Sequence, residues 1–68
     1  MEITVTINGS PETVVAGLTL AGLLAARRIR PETVVVELNG RIASRPEYGC
    51  TPVAAGDRLE ILRFMGGG

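Results

Sequence analysis

Two Asn-Gly dipeptides, Asn8-Gly9 and Asn39-Gly40, constrain what this chain can fold into more than any other feature. A two-residue turn between antiparallel strands needs positive φ at both central positions, and Asn followed by Gly supplies it at little steric cost. Each dipeptide follows a strand-like segment. In the first, Ile3, Val5 and Ile7 fall on one side and Glu2, Thr4 and Thr6 on the other, the period of a half-buried strand. Glu12 to Ala16 reads as the returning strand, with Val14 and Val15 on opposite faces. In the second, Thr33 to Leu38 turns Val34, Val36 and Leu38 inward, and Arg41-Ile42-Ala43 is a short return.

The segment between the two hairpins reads as a helix. Thr19 has the character of an N-cap, Leu18 and Leu23 have the spacing of a hydrophobic staple, and Leu20, Leu23 and Leu24 form one apolar stripe. Gly22 weakens it, since a glycine inside a helix costs roughly 1 kcal/mol relative to alanine; close packing of helix on sheet is the reading adopted. Arg27, Arg28 and Arg30 lie at the helix end, and Pro31 excludes Arg30 from helical geometry, which predicts the stop there. The Arg cluster is read as complementing the negative helix terminus in preference to docking an acidic partner. The stretch 44–57 is turn-rich, with one helical turn expected near Pro46-Glu47-Tyr48 and Tyr48 folding back to pack. Gly56-Asp57 turns the chain into a last strand over 58–64.

The order is β-β-α-β-β-β, an α+β fold with one helix covering one face of a mixed sheet of about five strands. A compact solution lays the last strand parallel to the first at the sheet centre. With 68 residues, of which 46% are hydrophobic, there is material for one domain with one small core. Seven Arg balance seven acids, so nothing in the charge selects nucleic acid or an anionic membrane as partner. No transmembrane segment or signal peptide is read in the chain, and a cytoplasmic location is expected. One cysteine and no histidine leave no metal site and none of the usual nucleophile–base pairs, so the chain is not expected to be an enzyme. Cys50 is read as passive in preference to a sulfur relay, which would need an activating basic neighbour.

What chemistry remains lies at the end of the sequence, "RFMGGG". If Leu59 and Ile61 face the core, Leu62 and Phe64 face outward and Met65 extends beyond them, an apolar patch suited to a partner. Met65 to Gly68 stretch at most ~14 Å and, carrying no side chains after Met65, fit a narrow channel. They deliver one group, the Gly68 carboxylate. A carboxylate resists nucleophiles until ATP converts it to an acyl-adenylate with AMP as leaving group. An inert, frayed terminus is the plainer alternative.

The opening strand ending in Asn8-Gly9, the segment "LTLAGLLAA", "VVVELNGRIASRPEY" and "AAGDRLEILRFMGGG" together resemble the ThiS branch of the ubiquitin-like β-grasp sulfur carriers, over essentially residues 1–68. The resemblance implies a β-grasp domain over 1–64 and a flexible glycine tail over 65–68. It implies that an adenylyltransferase of the ubiquitin-activating (ThiF) type uses ATP to adenylate Gly68. Sulfur from a cysteine desulfurase or another donor then displaces AMP, and the thiocarboxylate on Gly68 serves thiazole synthase (ThiG type) in thiamine biosynthesis. No cofactor is implied beyond that covalent group. Gly66 and Gly67 would give reach and clearance in the partner's active site, with Leu62, Phe64 and Met65 docking it. Gly22 stands where such helices often carry an acid, and the loop with Cys50 is slightly long. The small subunit of molybdopterin synthase has the same fold and chemistry, but that branch tends to carry prolines before its Gly-Gly, which "ILRFMGGG" lacks. A protein modifier joined through Gly68, or a plain binding module, are the other readings.

Overall fold

The computed structural model describes residues 1–64. Both Asn-Gly turns form as the sequence requires: φ is 51° and 85° at Asn8 and Gly9, and 53° and 85° at Asn39 and Gly40. The first turn joins β1 (Glu2–Ile7) to β2 (Ser10–Val15), and the second joins β3 (Val34–Leu38) to β4 (Arg41–Ala43). The last strand, β5 (Arg58–Arg63), lies between the hairpins in a sheet ordered β2-β1-β5-β3-β4. It runs parallel to β1 and antiparallel to β3. This is the α+β, β-grasp arrangement expected from the sequence, with the final strand at the centre.

One helix, α1 (Leu20–Ala26), covers one face of the sheet. At seven residues it is too short to persist alone, so packing holds it. Its stripe, Leu20, Leu23 and Leu24, meets Val5, Ile7, Val34, Val36 and Leu59 in the core. Thr19 caps it, its hydroxyl accepting from the Gly22 N–H at 3.1 Å. Gly22 has a concrete reason to lack a side chain: a Cβ there would stand 2.7 Å from Leu18 Cδ1, the residue that enters the core just before the cap.

The helix stop differs from expectation. It is set by Arg28, not by Pro31. The helix ends at Ala26 and Arg28 takes φ 59°. The Ile29 N–H donates to the Leu24 carbonyl at 2.8 Å and the Arg28 N–H to Ala25 at 3.0 Å, the paired bonds of a Schellman motif with Ile29 packed on the core. Arg30 is extended, as a residue before proline should be, and Pro31–Thr33 forms a separate 3₁₀ turn. Arg27, at the helix C-cap, pairs with Glu12 on β2 at 3.3 Å.

Between β4 and β5 the expected single turn is a longer 3₁₀ segment, Arg45–Cys50, with Tyr48 buried as read. Sequence reading missed Val53. It is buried because the loop pairs with the residues before α1: the Val53 N–H donates to Leu18 (2.7 Å) and the Leu20 N–H to Thr51 (2.9 Å). Asp57 closes the next turn, where Gly56 has φ 84°, accepting from the Ala54 N–H at 2.7 Å. β2 begins two residues before the expected Glu12 and ends at Val15, and Phe64 follows β5 just outside it.

Candidate functional site

The site is organised by the two faces of β5. Leu59 is 1% exposed, and Ile61 packs against the same core. The alternate residues Arg58, Glu60 and Leu62 therefore lie on the face without a helix. Leu62 is 49% exposed and Phe64 56%, as the alternation of the sequence predicts.

Register supplies what the sequence alone did not. Leu62 stands opposite Val35, Glu60 opposite Glu37, and Glu37 opposite Ile42 on β4. Ile42, 71% exposed, and Val35 thus share the open face with Leu62 and Phe64. Val35 is outward by alternation with Val34 and Val36, but only the pairing of β3 with both β4 and β5 joins it and Ile42 to one surface with Leu62. The β1–β2 half of the same face carries Thr4, Thr6, Pro11 and Thr13. Val15, 59% exposed opposite Glu2, adds an apolar side chain on the outer strand β2, and the larger apolar area lies in the half containing β5.

The direction of β5 as it leaves the sheet is fixed from both sides. On one, the Phe64 N–H donates to the Thr33 carbonyl at 3.0 Å. On the other, β1 pairs with β5 only at Thr6–Arg58 and Ile7–Leu59 before it turns away. Asn8 continues the ladder with its side chain. Its Oδ1 accepts from the Ile61 N–H at 2.7 Å and its Nδ2 donates to the Ile61 carbonyl at 3.3 Å, replacing a backbone partner with an amide of the same shape. Asn39 acts similarly at the strand's start: its Oδ1 accepts from the Arg58 N–H at 2.9 Å while Nδ2 donates to Asp57 at 3.0 Å.

Of the residues expected to act, Leu62 and Phe64 are brought together on this surface. Met65, Gly66, Gly67 and Gly68 lie outside the described residues. Cys50 is exposed in the 3₁₀ segment, its Sγ 3.5 Å from the Glu47 carbonyl oxygen. Among the described residues no group of three or more His, Cys, Asp or Glu could hold a metal ion, and no helix is long and apolar enough to cross a membrane.

Comparison with known proteins agrees with this architecture. A crystal structure of the thiamine biosynthesis protein ThiS from Geobacter metallireducens is 42% identical, with a TM-score of 0.84 over 97% of this chain and 100% of that one. A solution structure of a thiamine biosynthesis protein from the same organism has a TM-score of 0.80 at 42% identity, covering 97% of this chain and 88% of that one. Two curated relatives are thiazole synthases. The Magnetococcus marinus protein is 42% identical over 62 residues, and that of Paramagnetospirillum magneticum 37% identical over 62. In each case the match takes in 91% of this chain but only 19% of the relative's length. The ThiS family model matches residues 5–68, nearly the whole sequence and its glycine run included, and the chain belongs to the ThiS family.

Proposed function

We propose that this chain is a sulfur carrier of thiamine biosynthesis and that Gly68 is its working residue. The observation that carries this reading is the extent of the family match, which runs through the last glycine, residues 5–68. In the proposed cycle the Gly68 carboxylate oxygen attacks the α-phosphorus of ATP in the active site of a ThiF-type adenylyltransferase, and pyrophosphate leaves. The outer sulfur of a persulfide supplied by a cysteine desulfurase or another donor attacks the glycyl carbonyl carbon, and AMP leaves; a thiol then cleaves the acyl disulfide so formed, ending as a disulfide with the donor sulfur and freeing the thiocarboxylate. The thiocarboxylate then passes its sulfur to thiazole synthase. Gly66 and Gly67 admit the chain to a narrow active site because they carry no side chain. Leu62, Phe64 and Met65 form the docking surface.

The described structure supports a division of labour. Among the described residues the buried core is drawn from positions between Val5 and Leu59, apart from the glycine run that the proposal makes reactive. The chain itself acts as a co-substrate, and catalysis belongs to its partners.

The test is the intact mass of the chain after incubation with a ThiF-type adenylyltransferase, ATP, a cysteine desulfurase with cysteine, and a thiol reductant. Replacement of one oxygen by sulfur at Gly68 adds the mass difference between the two elements. Removal of Gly67 and Gly68 abolishes that gain and leaves the melting temperature nearly unchanged. Absence of any gain in the full chain sinks the carrier reading.

A further inference from the structure

On the open face, Glu37 and Glu60 are directly opposed across β3 and β5. Opposed side chains in a sheet start ~4.5–5.5 Å apart at Cβ, and like charges so placed destabilise the pair. Neither carboxylate has a cation within ion-pair reach among the described residues, where Arg27–Glu12 is the single salt bridge. The two acids line a shallow hollow with Asn39, Gly40 and Arg58. Arg58 offsets one of the two negative charges, and the hollow keeps a net charge of minus one. The next rung is Leu62 opposite Val35, and Ile42 stands beside Glu37 on the other side. A carboxylate pair only half offset by Arg58 is thus set into the border of an exposed apolar patch.

We propose that this face is completed by a partner surface that is apolar and carries one Arg or Lys, whose cation enters the hollow and bridges Glu37 and Glu60. The occupant is the thiazole synthase of the cycle above, and the inference rests on that reading. Two observations favour it over a second copy of this chain. The charge left over on the face has one sign, so two copies meeting face to face would bring four carboxylates and only two Arg58 guanidinia together. The relatives that hold a domain like this one within a longer chain are thiazole synthases, which keeps such a face within reach of that enzyme. The apolar contacts supply adhesion. The acid pair selects the partner and fixes its register, since a partner lacking the cation would bury two like charges with only Arg58 to offset them.

The test uses the full chain and the thiazole synthase encoded in the same genome, with Kd measured by isothermal titration calorimetry at low and moderate salt. The double variant Glu37→Gln, Glu60→Gln keeps the shape of the face and removes its charge. Expected are a roughly tenfold weaker Kd at low salt, loss of most of the salt dependence, and a higher melting temperature than the parent, because the repulsion is gone. Equal or tighter binding by the variant overturns the proposal, as does parent binding indifferent to salt. So does a parent dimer, seen by sedimentation, that the variant abolishes. If only affinity for the adenylyltransferase falls, the face belongs to that enzyme and this assignment is wrong. Formation of the thiocarboxylate, read by mass on the same variant, separates these failures from failure of the carrier reading.

Discussion

Asn8 and Asn39 do two jobs each. Their backbones take the positive φ of the turns, and their side-chain amides hold β5 at Ile61 and Arg58. Replacing Asn8 by Gly keeps the turn geometry and removes only the amide, so the change isolates the second job. We expect a loss of about 1–2 kcal/mol in urea denaturation, the usual net worth of two hydrogen bonds; unchanged stability would show that the amide contributes nothing. Gly22 offers a second residue-scale test. Alanine there gains helix propensity but crowds Leu18 Cδ1 at 2.7 Å. In a Leu18→Ala background the crowding is absent, so Gly22→Ala should stabilise by about 1 kcal/mol more there than in the parent. A double-mutant cycle without coupling would mean that Leu18 moves aside freely.

At the scale of elements, β5 puts its core residues on one face and the proposed docking residues on the other. Leu59→Ala empties a fully buried position and should cost about 2–5 kcal/mol. Phe64→Ala, at an exposed position, should change stability by less than about 0.5 kcal/mol while weakening partner binding. A large loss of stability from the second substitution would place Phe64 in the core. The helix makes a complementary case. Arg28 occupies the left-handed position that usually favours glycine, so Arg28→Gly should raise stability by about 0.5–1 kcal/mol in thermal or chemical melts. That same residue shows where the sequence stops being legible. Alternation, the Asn-Gly turns and the leucine stripe depend on local period, and they locate every strand, the helix and the outward side of Leu62. The Schellman stop was hidden because its signal, a glycine, is absent and packing of Ile29 imposes the conformation instead. Val53 was hidden because its burial comes from loop pairing with Leu18, a contact remote in sequence. The full open face was hidden for a similar reason, since Ile42 and Val35 join Leu62 only through inter-strand register.

For the whole molecule, the consequence lies in the position of β5, which among the described residues is the last of five strands in sequence and central in the sheet. Neither hairpin can join the other until residues 58–63 arrive, because no backbone pair links β1 directly to β3. A chain growing from its N-terminus therefore carries two unjoined halves and an apolar helix stripe until those residues are free. Closure then spans about fifty residues at once, from the first turn to Ile61, a long-range step of the kind that slows folding. During synthesis, the nascent domain should stay protease-sensitive while β5 is still inside the ribosome and become resistant in a single step once it emerges.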